Sequence, residues 1–103
     1  MMAYFWMFLA GALICNAIPH LAAGLRGEPF PTPFAKPHGV GLSSPLTNFL
    51  WGSVNLFAGV ALSLWQLPRI EMTIGLGMAA VGWLAIGLYA ARHFGAVRSG
   101  RRD

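Results

Sequence analysis

Acidic residues are scarce in this chain. Asp and Glu together number 3 in 103 residues, and all charged residues make up 10% of the sequence, against about a quarter in ordinary soluble domains. So few carboxylates leave no pair for general acid–base work and no Asp or Glu inside an apolar run, the usual carrier in proton-driven transport. There is no Ser/His/Asp ordering and no phosphate loop, so no catalytic activity is expected. Cysteine occurs once, as Cys15, which excludes an internal disulfide and a multi-cysteine metal motif. Nucleic acid is not expected as a partner. The net charge is +4, but the arginines stand at the ends of apolar runs and form no long basic face.

What fills the chain instead is apolar, 56% of all residues. Three runs lack Asp, Glu, Lys and Arg altogether: Met1 to Leu25, Leu46 to Leu67, and Met72 to Ala91. Each is as long as the roughly 20 residues a helix needs to cross the hydrocarbon of a bilayer. The reading is an all-α integral membrane three-helix bundle forming one domain over residues 1–103. Its spans cover about 3–25, 46–67 and 72–91, with a Pro/Gly-rich loop at 26–45 and a basic tail at 92–103. Ser43-Ser44-Pro45 marks the second start, serine as a cap and proline at the first helical position. The short connection through Pro68 predicts that spans two and three are antiparallel neighbours. Small residues at Gly75, Ala79 and Gly82, and at Gly52 and Gly59, permit close helix approach, either between those two spans, the simpler choice, or between two copies of the chain. The amino-terminal flank has no positive side chain, so a cleaved signal peptide is not expected.

Charge sets the orientation. Arg26 and Lys36 in the loop share a side with Arg92, Arg98, Arg101 and Arg102, leaving only Arg69 opposite, where Glu71 can offset it. By the positive-inside rule the amino terminus lies outside and the tail in the cytoplasm, as in a bacterial inner membrane. Tyr4, Trp6 and Trp65 then mark the outer interface and Tyr89 the inner one.

Polar residues within the spans are where function is sought, because lipid offers them no water. Asn16 and His20 are four apart on one helix face; Asn48 and Asn55 are seven apart on another. Counting depth at 1.5 Å per residue brings Asn16 level with Asn55 and His20 near Ser53. The expectation is a polar seam of Asn16, His20, Asn48, Ser53 and Asn55 between spans one and two, opening toward the cytoplasm. Pro19 adds to it by freeing the carbonyl of Cys15. Such a seam can be helix glue, or a site for a ligand or headgroup.

The loop carries proline at alternate positions, which predicts an extended, polyproline-like path without internal hydrogen bonds. Phe30 and Phe34 are its expected anchors, in the headgroup region, on a partner, or folded back over the seam as a lid. No cofactor is expected. His20, His38 and His93 fall on one side and are weak candidates for zinc, copper or haem, but their spacings match no ligand motif.

The string Asn16-Ala17-Ile18-Pro19-His20, then Phe30-Pro31-Thr32-Pro33-Phe34, then Gly41-Leu42-Ser43-Ser44-Pro45 with Asn48, Trp51, Gly52 and Asn55, resembles small bacterial inner-membrane proteins of uncharacterised function. The resemblance covers the first half of the chain and implies that seam and loop form one unit; it carries no activity. The expected role is an interaction or accessory subunit touching lipid, a larger membrane protein or another copy of itself. The alternative is an oligomeric small transporter or channel lined by Asn16, His20, Asn48 and Asn55. A metal or haem site on His20 and His93 comes third.

Overall fold

The computed structural model describes residues 2–102, and side chains as far as Gly100. The order is α1 (Met2–Leu25), β1 (Phe30–Pro31), β2 (Leu42–Ser43), α2 (Pro45–Gln66), a single 3-10 turn (Leu67–Arg69) and α3 (Met72–Arg102). The three helices are long and apolar enough to cross a membrane.

Each boundary has a local cause. Gly27 ends α1 with φ at 71°, a left-handed conformation in which glycine is unstrained. The Gly27 N–H then donates to Gly24 O at 3.1 Å and the Glu28 N–H to Ala23 O at 2.8 Å, the paired closure that satisfies the last carbonyls of a helix. Ser44 opens α2, its Oγ accepting from the Thr47 N–H at 3.1 Å, with Pro45 in the first position. Pro68 cannot donate onward, and α2 gives way to the 3-10 turn there. Glu71 opens α3, its two oxygens accepting from the amides of Thr73 (3.1 Å) and Ile74 (2.8 Å). Those donors hold the Glu71 carboxyl below the usual carboxylate range. Its role is therefore a cap, and the expected offset of Arg69 is not formed: Arg69 bonds Trp65 O and lies over the Trp65 ring, 5.6 Å from its centroid.

The packing corrects one expectation. α1 lies in the middle and packs against both other helices, whereas α2 and α3 barely touch. The small residues explain why. A Cβ on Gly11 would collide with the Ala79 carbonyl, and one on Gly82 with the Phe8 carbonyl. On the other side, Gly52 faces Ala17 and Leu21, and Gly59 faces Ala10 and Ile14. Both stripes are thus used within the chain, but against α1 rather than each other. Gly75 is the exception in its stripe, meeting Ile70 and Leu67 of the connecting turn.

Two further corrections concern the ends. The stretch 92–102, expected as a basic tail, is helical and continuous with α3, which runs as one helix of 31 residues, while Asp103 and the side chains of Arg101 and Arg102 lie outside the described residues. Nor is the loop an extended path without hydrogen bonds. β1 and β2 pair antiparallel, Phe30 opposite Ser43 and Pro31 opposite Leu42. Between them Thr32 O accepts from Ala35 N and Gly39 N, and Pro37 O from Val40 N and Gly41 N. Proline removed donors, but enough remained at Ala35, Gly39, Val40 and Gly41 to fold the loop on itself.

Gly82→Ala should cost about 1–3 kcal/mol by forcing α1 and α3 apart, whereas Gly77→Ala, with nothing within 4 Å of its added Cβ, should be neutral or slightly stabilising; unfolding of both variants in detergent micelles checks this. The Glu71 cap is complete above the ordinary glutamate pKa and is lost as pH falls through its lowered value. Protection of the Thr73 and Ile74 amides, taken against their intrinsic exchange rates at each pH, should therefore fall on acidification in the native chain and be insensitive to that change in Glu71→Gln.

Candidate functional site

The polar residues of α1 and α2 face each other. Asn16 Nδ2 donates to Asn55 Oδ1 at 3.1 Å, and Asn55 Nδ2 donates to the Trp51 carbonyl at 2.8 Å. Four residues nearer the loop on α1, His20 Nδ1 lies 2.8 Å from Asn48 Oδ1. Asn48, Gly52, Asn55 and Gly59 are all buried on one stripe of α2. Ser53 falls off that stripe. It is half-buried, and among the described residues no hydrogen bond joins it to the seam, so the partner of His20 is Asn48 and not the level of Ser53.

Asn48 is fully buried. Its Nδ2 points at three backbone carbonyls, Phe30 O at 2.9 Å, Ser44 O at 3.1 Å and Ser43 O at 3.3 Å. Only an amide nitrogen can face three acceptors, so its Oδ1 faces His20 and accepts. The Nδ1 of His20 is then the donor, and the neutral ring keeps a lone pair on Nε2. Nothing among the described residues bonds that Nε2. One side chain thus ties α1, α2 and both strands of the loop together.

The loop lies over this seam. Phe30 meets the His20 ring edge-on at 5.4 Å and the Phe94 ring at 4.7 Å, while Phe34 stands edge-on to Trp51 at 5.0 Å and remains 60% exposed. Phe30 thus folds back over the seam, while Phe34 packs beside it on Trp51 with its outer face open. Thr32 between them is buried, its hydroxyl 2.5 Å from Ser43 Oγ and accepting from the Phe34 N–H. α3 completes the enclosure: His93 Nε2 donates to Gly39 O at 2.7 Å and its ring stacks on Tyr89 at 5.6 Å.

Beneath the loop these elements leave a half-open cavity of about 150 Å³ whose wall includes Asn16, His20, Trp51, Tyr89, His93 and Phe94. Two of the three histidines therefore share a space. His38 does not join them; its Nδ1 donates to Pro33 O at 2.6 Å within the loop. Among the described residues no group of three His, Cys, Asp or Glu is placed to hold a metal. Phe94 and Tyr89 were not expected here, although Tyr89 and His93 sit four apart, and Phe94 follows, on the loop end of α3. Trp51 Nε1 is the one sealed polar side-chain atom without a partner among the described residues.

No family model, curated protein or solved structure matches this chain, and the site is read from its own chemistry.

Asn48→Leu should cost about 1–3 kcal/mol, because it orphans the buried His20 N–H and withdraws a donor from the Phe30 and Ser43 carbonyls, while Ser44 O keeps the backbone N–H of residue 48. Asn16→Leu, which removes one interhelical bond, should cost nearer the roughly 0.6 kcal/mol typical of such contacts. Unfolding in micelles gives the comparison, and faster exchange of the Gly39 and Gly41 amides in Asn48→Leu alone would show that the loop has been released.

Proposed function

We propose that this chain is a small multi-pass membrane protein that serves as a noncatalytic interaction or accessory subunit, its seam and loop acting as one unit toward a lipid or a membrane partner. The reading places it in a bacterial inner membrane with the amino terminus outside and the tail in the cytoplasm. It is carried by the division of the helix surfaces. Every Asn and His within the spans turns inward and is bonded, while the outward faces stay apolar, with Val54, Phe57 and Leu64 on α2 and Leu76, Leu84 and Leu88 on α3 all more than half or half exposed. A face of that kind suits lipid or another helix.

The transporter alternative is weakened by the same pairing. Asn16 bonds Asn55 and His20 bonds Asn48, so the four residues named for a path pair across the seam, and only Asn16 and His20 border a space, the cavity beneath the loop. Phe34, exposed on the lid, is the side chain best placed to meet a partner.

Affinity purification from native membranes in mild detergent should yield a stoichiometric partner protein that is lost in Phe34→Ala, a variant that leaves Phe30 and the seam in place. Recovery of the chain as a homo-oligomer without another protein would count against an accessory role, and a reporter fused to the tail that is active only outside the cell would overturn the orientation.

A further inference from the structure

We infer that the cavity beneath the loop and the recess beside it form a binding site for a phosphoethanolamine headgroup, with the primary ammonium in the cavity and the phosphate on Arg92. This rests on the reading above that the loop end lies at the headgroup level of a membrane, and it names the chemistry that reading leaves open.

Hydrogen-bond demand is the first argument. The inner wall of the cavity presents acceptors. His20, 2% exposed, has committed its N–H to Asn48, leaving Nε2 unbonded; since Trp51 Nε1 is the only sealed and unpartnered side-chain atom among the described residues, His20 Nε2 must border open space, and the space His20 lines is this cavity. Asn16 has committed its amide nitrogen to Asn55 and keeps Oδ1. His93 has committed Nε2 to the Gly39 carbonyl and, in the neutral ring, keeps the Nδ1 lone pair. Three lone pairs without matching donors call for an occupant that donates, and a primary ammonium offers three N–H groups.

The walls and the charges narrow the choice. Trp51, Tyr89 and Phe94 supply aromatic rings, which attract a cation. No carboxylate lines the cavity, however, and Arg26, Lys36, Arg92 and Arg98 lie at the loop end of the molecule, where among the described residues Glu28, paired with Arg26, is the one acid. A bare cation or a divalent metal would be repelled, so the ammonium must bring its own anion. The place for that anion adjoins. An open recess of about 500 Å³ lined by Leu88, Tyr89, Arg92 and His93 shares Tyr89 and His93 with the cavity. Arg92 makes no ion pair among the described residues, and its guanidinium is suited to a phosphodiester. Leu88, 65% exposed, continues outward as an apolar track for an acyl chain. At about 150 Å³ the cavity itself is of the size that accepts a single small organic group.

The test is lipid retention by the whole protein in nanodiscs, read by mass spectrometry after gentle release. Discs contain phosphatidylethanolamine, its mono- and dimethyl derivatives, phosphatidylcholine or phosphatidylglycerol. Each methyl removes one N–H while keeping cation and phosphate. Retention should fall stepwise along that series, by about tenfold or more from first to last, and Arg92→Gln should lower retention throughout without altering the order. Equal retention of ethanolamine and choline lipids, or a preference for phosphatidylglycerol, would overturn the inference. Displacement by soluble phosphoethanolamine would assign the site to the free headgroup, and resistance to it, with the series intact, to the lipid. A chain that fails to stay in discs of any composition would instead refute the membrane reading, whereas stable insertion without lipid preference refutes the headgroup site alone.

Discussion

The Asn48 side chain is the junction on which the loop end of the molecule depends. It is fully buried, accepts from His20 on α1 and donates toward Phe30, Ser43 and Ser44. Among the described residues no other side chain makes hydrogen bonds that join two helices and both short strands. The arrangement also sets the chemistry of its neighbour. Because three carbonyls claim the amide nitrogen, the oxygen has to face His20, and the imidazole is left with a lone pair on its far nitrogen. A leucine of similar volume could pack the same space, but it would leave the His20 N–H without a partner and take a donor from the Phe30 and Ser43 carbonyls, and the cost of unmet polar groups exceeds the modest net gain of a met one.

The second constraint is the thinness of α1. Its two neighbours approach on separate faces, α2 along Ala10, Ala17 and Gly24, and α3 along Phe8 and Gly11, where backbone meets backbone. Small residues permit dispersion contact between main chains that larger side chains would hold apart. The two seams divide the work. The α1–α3 contact is built on close approach at its middle, and the α1–α2 contact adds polar pairs, Asn16 with Asn55 and His20 with Asn48. Polar pairs fix register, since sliding one helix past the other would break both at once.

Much of this was legible in the chain. Three uncharged runs located the helices within a residue or two at most ends, Ser44 and Pro45 located a cap, and the shared depth of Asn16 and Asn55 located one pair. What was not legible followed from geometry that spacing does not carry. Spans two and three are neighbours in sequence, but a short connection says only that they are antiparallel, not that they touch; the small residues at Ala10, Gly11 and Ala17 were the unused sign that α1 would sit between them. Rise alone puts His20 near the level of Ser53, but level does not fix which side of α2 a residue occupies, and the imidazole reaches Asn48 on the facing stripe instead. Ser53 also lies off the stripe of Asn48, Gly52, Asn55 and Gly59. Arg92 stops the apolar run, but charge ends hydrophobicity and not helix, so nothing in the pattern marks Phe94 as part of the site.

The loop's proline content connects these features to the site. Pro29, Pro31, Pro33 and Pro37 contribute carbonyls without N–H groups, so this segment holds more acceptors than its own backbone can satisfy. Side chains make up the difference. Asn48 donates to Phe30 and Ser43, His38 to Pro33 and His93 to Gly39. His93, which spends Nε2 on the loop, and His20, which spends its N–H on Asn48, both line the cavity. The shortage of donors is in this way passed inward from the backbone of the loop to the wall of the space beneath it. An alternating-proline loop thus acts as more than a stiff lid: by consuming the N–H groups around it, it makes the enclosed space one that favours a donor.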